Sequence, residues 1–169
     1  MPKKKADKKI VLIIHNVRSA HNVGAMFRTA DGAGVERIFL TGYTPCPPKK
    51  EALYRTGAEK AFCKTALGAE KYIPWKKNVS FAKVARALKE EGYALVSLEQ
   101  ATGSTAYDAY KSTSRTALVV GNEVTGIDKK ILRQCETILE IPMHGKKNSL
   151  NVSVATGIVL YELRRLLRG

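Results

Sequence analysis

The sequence predicts a single-domain α/β fold with a mostly parallel sheet flanked by helices. Short apolar runs typical of buried strands alternate along the chain with amphipathic segments of helical period. Strands that alternate with helices pair in parallel and are covered by helices on both faces. The length, 169 residues of which 44% are hydrophobic, is enough for one core and too short for two. We therefore expect one domain without internal repeats.

The first three predicted elements form a βαβ unit. Residues 10–14 are apolar throughout, as in strands that are buried on both faces. Residues 22–34 form a predicted helix, because Val23 and Phe27 recur with other apolar residues at helical spacing. Residues 36–41 form the next predicted strand, which a right-handed crossover would place beside the first.

The alternation continues to the C-terminus. Residues 42–50 contain three prolines, which predicts a loop, and glycines at positions 57 and 68 interrupt a predicted helix over 51–69. The remaining predicted elements are strands at 71–75, 93–98, 116–121 and 137–143, and helices at 79–91, 129–135 and 150–167.

The charge of the chain predicts a polyanionic partner. Lys and Arg total 29 against 15 Asp and Glu, which leaves +14 at pH 7. Neutralising phosphates with release of counterions suits such an excess, although a charge that only keeps the protein in solution stays open. Residues 1–9 hold five lysines and one aspartate, which predicts a basic flexible tail ahead of a domain at 10–169.

Several classes of protein are disfavoured. No apolar stretch approaches the ~18 residues of a membrane span and no signal-peptide pattern follows the N-terminus, so we expect a cytoplasmic protein without membrane contact. Cys46, Cys63 and Cys135 have no His at ligand spacing, so we expect idle thiols and no metal site. Residues 121–126 have the glycine spacing of a phosphate loop without its Lys and Ser/Thr, and no dinucleotide-binding glycine pattern follows the first strand.

Polar residues follow the predicted strands at one edge of the sheet. Ligands of parallel sheets bind beyond the carboxyl ends of the strands, here after Ile14, Leu98, Val120 and Met143. Asn22 stands at the expected start of the first helix, as a site residue or as a plain N-cap. Arg28 has core-like neighbours, which predicts an anionic partner, either a phosphate or a carboxylate in a structural ion pair.

The two later loops carry further candidates. Glu123 comes directly after a buried strand, between Gly121 and Gly126, which permit tight turning and close approach of a ligand. Ser149, Asn151 and Ser153 crowd the expected start of the final helix, where capping needs only one of them and free backbone N–H groups can bind an anion. Three histidines in these loops are open to a catalytic or an RNA-contacting role: His15, His21 and His144.

Three segments carry a recognisable pattern. They are residues 22–30 (Asn-Val-Gly-Ala-Met-Phe-Arg-Thr-Ala), 119–127 (Val-Val-Gly-Asn-Glu-Val-Thr-Gly-Ile) and 141–155, which begins Ile-Pro-Met and ends Asn-Ser-Leu-Asn-Val-Ser-Val-Ala. Together they resemble the three signature motifs of the SpoU/TrmH family of RNA ribose 2′-O-methyltransferases, in the SPOUT superfamily. The match has the family's order and spacing and spans nearly the whole chain.

The resemblance implies a fold, a cofactor and an assembly. Members have a C-terminal deep trefoil knot, an exception to the rule that chains do not thread loops. They bind S-adenosyl-L-methionine in that knot, need no metal and work as homodimers. The positions that match the family's active site are Asn22, Arg28, Glu123, Ser149 and Asn151. The expected cofactor-binding residues are Leu98, Gly121, Asn122, Gly126, Ile141, Met143, Ser149 and Leu150.

The implied reaction is methylation of a ribose 2′-OH in structured RNA. Transfer RNA is the expected substrate, since it is the commoner one among small single-domain relatives. Arg28 is expected to stabilise developing alkoxide character and to position a phosphate, because a guanidinium with a pKa above ~12 is a weak base. Glu123 and Asn22 are expected to hold Arg28 and the loops, and Ser149 and Asn151 to shape the knot around ribose and cofactor. An rRNA substrate, base methylation and a knotted RNA-binding protein without catalysis stay open.

Overall fold

The computed structural model describes residues 8–49, 54–111 and 115–168. The strands are β1 (Lys9–His15), β2 (Arg37–Thr41), β3 (Trp75–Asn78), β4 (Ala94–Leu98), β5 (Thr105–Ala106), β6 (Arg115–Val120) and β7 (Thr137–Glu140). The helices are α1 (Ala20–Gly32), α2 (Gly57–Ala66), α3 (Phe81–Glu90), α4 (Lys129–Leu132) and α5 (Val152–Arg168), with single 3-10 turns at Ala69–Lys71 and Tyr107–Ala109.

Within the described residues, the seven strands form one sheet in the order β3-β2-β1-β6-β4-β7-β5. Every strand pair in it is parallel. The predicted α/β class with a mostly parallel sheet is therefore confirmed. Parallel pairing brings all carboxyl ends to one edge, so the loops after β1, β2, β4, β6 and β7 meet there.

Helices cover both faces of this sheet. Residues 10–14 of β1 are fully buried and alternate residues face opposite sides, which explains why this run is apolar throughout. Ile10 and Leu12 join the core beneath α1, α2 and α5, while Val11 and Ile13 join the core beneath α3 and α4. The two cores fix the sheet rigidly beneath the loops at its carboxyl edge.

The edge strands differ from the sequence expectations. The strand expected at 71–75 is wrong in position, because β3 pairs Trp75 with Ile38 and a 3-10 turn occupies Ala69–Lys71. This strand is polar and largely exposed, so it has no apolar run to reveal it. The two-residue β5 was not predicted at all, since two residues carry no periodic signal.

Several boundaries also shift by a few residues. The strand β7 ends at Glu140 rather than at 143, because Pro142 has no N–H to continue the ladder. The broken helix expected over 51–69 is α2, which begins at Gly57 behind a Thr56 capping box; residues 51–53 lie outside the described part. Lys9 belongs to β1 and its ammonium lies 3.2 Å from Glu36, so the basic tail ends before it. Residues 1–7 of the expected tail lie outside the described residues.

Candidate active site

A cavity of about 210 Å³ opens at the carboxyl edge of β4, β6 and β7. Its wall comes from the loops after these three strands and from the start of α5. All eight residues predicted to bind a cofactor lie in this wall: Leu98, Gly121, Asn122, Gly126, Ile141, Met143, Ser149 and Leu150. The sequence prediction had drawn them from three separate segments, and the sheet brings them to one place.

The loop after β6 is built so that its backbone forms the cavity wall. A Cβ on Gly121 would lie 2.5 Å from Ile127 Cγ1, and Gly126 has a φ of +69°. Asn122 and Gly126 exchange two backbone hydrogen bonds of 3.3 and 3.1 Å, and Asn122 Oδ1 accepts from two further N–H groups of the turn. The turn is rigid, and its two glycines cannot be replaced without moving the wall.

A chain of side-chain hydrogen bonds connects all three signature segments. Asn151 Oδ1 accepts from the Ser153 N–H at 2.8 Å, and Asn151 Nδ2 donates to Asn22 Oδ1 at 3.1 Å. Asn22 Nδ2 in turn donates to Glu123 Oε1 at 3.1 Å. Asn22 is buried, so each of its polar atoms is satisfied by one of these partners. The chain holds α1, α5 and the loop after β6 in one fixed arrangement beside the cavity.

The carboxylate of Glu123 is the anionic end of that chain. Its two oxygens accept the backbone N–H groups of Arg18 and Ser19, each at 3.0 Å. Burial raises the pKa of Glu123, but these N–H groups and the Asn22 amide lower it by more, so the pKa lies below its ordinary value of 4.5. The side chain is therefore ionised at neutral pH and ties the loop after β1 to the loop after β6.

Hydrogen bonds at the starts of α1 and α5 show which residues act as N-caps. The helix α1 begins at Ala20 with Ser19 as its N-cap, and Ser19 Oγ accepts from the Asn22 N–H at 3.2 Å. Asn22 is thus not the cap; it lies inside the first turn, where its side chain is free to join Asn151 and Glu123. At the other helix, Asn151 supplies the cap of α5, which begins two residues later than expected.

Among the described residues, Arg28 does not form the structural ion pair that was one of its two expected partners. Its residue is exposed, and it makes no hydrogen bond or ion pair within the described part of the chain. Glu123 accepts the Arg18 and Ser19 N–H groups, and the Asn22 side chain bonds Glu123 and Asn151, so neither side chain is hydrogen-bonded to Arg28. The core-like neighbours of Arg28 point to the opposite side of α1, which leaves the guanidinium available to an external anion. Ser149 lies in the cavity wall, outside the hydrogen-bonded chain.

Glu99 is a wall residue that the sequence analysis missed. Its oxygens accept the N–H groups of Gln100 at 2.9 Å and of Ile127 at 2.8 Å, which joins the loop after β4 to the loop after β6. A Cβ on Gly126 would lie 2.3 Å from Glu99 Oε2, so the glycine turn closes directly over this carboxylate. The sequence signal that could have identified Glu99 is an acidic residue immediately after a buried strand.

The other candidates are less closely tied to the cavity. His15 Nδ1 lies 2.8 Å from Thr41 Oγ1, and burial lowers the pKa of His15, which keeps it neutral in the fold. His21 and His144 are exposed. The three cysteines are free and partly buried. Among the described residues there is no cluster of metal-ligating side chains, and no helix there is both long and apolar enough to span a bilayer.

A parallel α/β sheet with a cavity walled by three polar loops at its carboxyl edge defines a protein of the ligand-binding, enzyme-like α/β class. Comparison with known proteins gives the family. A model of the SpoU rRNA Methylase family matches residues 9–161. The chain belongs to this family, which confirms the resemblance inferred from its three motifs.

The chain matches only about three fifths of the length of the first curated relatives. The 23S rRNA (guanosine-2′-O-)-methyltransferase RlmB of Escherichia coli strain K12 is 36% identical over 159 residues, which are 94% of this chain and 61% of RlmB. The A. aeolicus TrmH/SpoU tRNA modifying enzyme matches with a TM-score of 0.79 at 30% identity, over 98% of this chain and 78% of that one. An AdoMet-bound rRNA methyltransferase from Sinorhizobium meliloti matches with a TM-score of 0.83 at 27% identity, over 98% and 59% of the two chains.

Proposed function

We propose that this protein transfers a methyl group from S-adenosyl-L-methionine to a ribose 2′-OH in structured RNA. The observation that carries the proposal is the hydrogen-bonded chain of Asn151, Asn22 and Glu123, which joins all three signature segments beside one cavity. Its members come from three distant parts of the sequence and meet at the carboxyl edge of the sheet, where parallel α/β proteins bind their ligands.

The cavity suits the cofactor of this family. Leu98, Ile141 and Leu150 offer apolar surface for an adenine ring, and Gly121 leaves backbone groups open to close approach. When bound, S-adenosylmethionine supplies a methyl group that its sulfonium already activates. The wall residues contribute a shaped, rigid binding surface, and no metal is needed for that role.

The chemistry left to the protein is alignment and charge stabilisation. A ribose hydroxyl is a poor nucleophile at neutral pH, so holding it in line and stabilising developing alkoxide character lowers the barrier. Arg28 is exposed and unpaired among the described residues, which suits a guanidinium that binds a substrate phosphate beside the reacting hydroxyl. Glu123 and Asn22 act by holding the loops, and Ser149 and Asn151 shape the cavity mouth.

We also propose a homodimer that associates through α5. The buried side of this helix includes Leu160 and Leu163, yet Val154 is 52% exposed and Tyr161 is 56% exposed on the same helix. This leaves more apolar width than one core-facing stripe requires. A second copy of the chain packed on this face would cover both side chains.

The C-terminal knot is a further part of the proposal. The strand β6 returns to the centre of the sheet between β1 and β4, β7 lies outside β4, and α5 then packs back on α1. This return of the chain to the layer of α1 supports the proposal that its C-terminal segment forms the family's trefoil knot. The loops of residues 121–128 and 141–151 are the segments we expect to form it.

The substrate RNA is proposed to be a tRNA. Of the three relatives named above, two are named as rRNA methyltransferases and one as a tRNA modifying enzyme, so both classes of substrate occur in this family. The excess of 14 positive charges suits either RNA. The basic tail and the loop at 47–50 are expected to contribute phosphate contacts, and cytoplasmic location remains a prediction.

The test is a methyl-transfer assay on purified protein. Methyl-tritiated S-adenosylmethionine is incubated with separate tRNA and rRNA fractions from cells that lack the gene. We expect tritium in the tRNA fraction, in dinucleotides that resist alkaline hydrolysis because the 2′-OH is blocked. Label confined to rRNA would correct the substrate, label in alkali-sensitive nucleotides would indicate base methylation, and no label in either fraction would contradict catalysis.

A further inference from the structure

The turn after β2 presents an aromatic ring at the carboxyl edge of the sheet. Tyr43 is 57% exposed, although hydrogen bonds hold both its backbone and its phenolic oxygen. Its backbone N–H donates to Asn16 Oδ1 at 3.2 Å, and its phenolic oxygen accepts from Asn122 Nδ2 at 2.9 Å. The hydroxyl is therefore held by the fold while more than half of the residue faces solvent.

The turn beneath the ring is also clamped. Lys77 Nζ donates to the carbonyl oxygens of Gly42 at 2.7 Å and of Thr44 at 2.6 Å. The Gly42 N–H donates to the Val79 carbonyl at 3.2 Å, and Gly42 has a φ of +62°. These bonds order the turn during folding, so little conformational freedom remains for the ring to lose when it binds a partner.

The ring stands next to the candidate active site. Asn122, which holds the phenolic oxygen, lies in the cavity wall and directly precedes Glu123. Glu123 in turn holds the backbone of Arg18, whose residue is exposed. Asn122 is buried, and its amide nitrogen donates both to this phenolic oxygen and to the Asn16 carbonyl at 3.0 Å.

We propose that Tyr43 is a stacking platform for an unpaired base of the substrate RNA, next to the nucleotide whose ribose is methylated. The inference rests on the proposed function. Single-stranded bases of RNA bind aromatic faces that are already exposed and rigid, and nearby cations hold the adjoining phosphates. Tyr43 is a fixed aromatic face beside the cavity, and the exposed Arg18, whose backbone Glu123 holds, supplies a cation on the same side of the sheet.

The experiment measures how strongly binding depends on the base itself. The probes are a fluorescein-labelled ten-nucleotide oligoadenylate and an abasic strand of the same length and charge. Their dissociation constants are measured for the wild-type chain, Tyr43→Leu, Tyr43→Phe and Tyr72→Leu. Tyr72 is a matched control, because it is 77% exposed and precedes β3, so it lies at the amino ends of the strands, away from the cavity.

We expect the wild type and Tyr72→Leu to bind oligoadenylate about 10-fold more tightly than the abasic strand, as one stacked base contributes. Tyr43→Leu should lose that difference while its affinity for the abasic strand is unchanged, and Tyr43→Phe should keep most of it. A base-dependent difference that survives in Tyr43→Leu, or that is absent from the wild type, would overturn the proposal. Wild-type methyl transfer to cellular RNA is scored separately, so failure of the stacking role is distinguishable from failure of the enzyme.

Discussion

The substitution Asn22→Asp tests the hydrogen-bonded chain with almost no change of shape. The introduced carboxylate would still accept from Asn151 Nδ2, but the amide nitrogen that donates to Glu123 would be replaced by an oxygen, 3.1 Å from Glu123 Oε1. Two unit charges at that distance repel by about 5 kcal/mol at an effective dielectric of ~20. Water that reaches Glu123 screens this repulsion. The pair of carboxylates can also take up one proton, which removes one of the two charges, and each unit by which the pH lies above the pKa of that proton makes the uptake cost about 1.4 kcal/mol.

The shared proton determines how the effect varies with pH. The pair binds it more tightly in the folded state than in the unfolded chain, so its folded pKa is raised. A raised folded pKa gives stability that is present at low pH and lost as the pH rises through that pKa. We expect Asn22→Asp to cost about 2–3 kcal/mol of unfolding free energy at pH 8 and less than about 1 kcal/mol at pH 5.

The assay is urea unfolding of both proteins across that pH range. The matched control is Asn78→Asp, because Asn78 Oδ1 accepts the Ser80 N–H at 3.0 Å and an aspartate there keeps the bond. We expect the control to stay within about 0.5 kcal/mol of the wild type at every pH. A cost for Asn22→Asp that does not change with pH, or that matches the control at pH 8, would refute the proposed contact with an ionised Glu123.

Three further predictions concern the site and the assembly. Arg28→Ala should abolish methyl transfer and leave the dissociation constant for S-adenosylmethionine unchanged in calorimetry, since Arg28 is not in the cavity wall; near-normal turnover would contradict its role. Glu123→Gln should lower stability at pH 7 in urea unfolding, and the deficit should shrink as the pH falls below 4.5 through the depressed pKa of Glu123; a deficit that stays constant as the pH is lowered would argue against the charge. Val154→Arg should shift the protein toward an 18.6 kDa monomer in sedimentation, and a wild type that is already monomeric at micromolar concentration would exclude the dimer.

The parallel sheet and the cavity were predictable because their signals are local. A continuous apolar run such as residues 10–14 of β1 predicts a buried strand, and this prediction does not require knowing which strands pair with it. The signature motif around Gly121 likewise contains the glycines that its tight turn needs, so the turn is predictable from the motif alone. The polar edge strand β3 gave no such signal, since its position depends on pairing with β2.

The contacts within the site needed three-dimensional information. The Asn22 motif position could be recognised, but the helix start at Ala20 depends on the Ser19 hydroxyl, which competes with Asn22 as a cap. The sequence left open whether Arg28 forms a structural ion pair or binds a phosphate, because residues adjacent in sequence point to different sides of a helix and its apolar neighbours do not fix its own exposure. The bond from Asn22 to Asn151 spans 129 positions, and no spacing rule in one sequence reaches that far.

The most direct test of the central claim is a map of ribose 2′-O-methylation in cellular RNA. It compares cells with the intact gene, with the gene deleted, and with the deletion complemented by wild-type protein or by Arg28→Ala. We predict that a defined tRNA position loses its 2′-O-methyl group on deletion, regains it with the wild type and stays unmodified with Arg28→Ala. An identical methylation map in all four strains would contradict the proposal that this chain is an RNA 2′-O-methyltransferase.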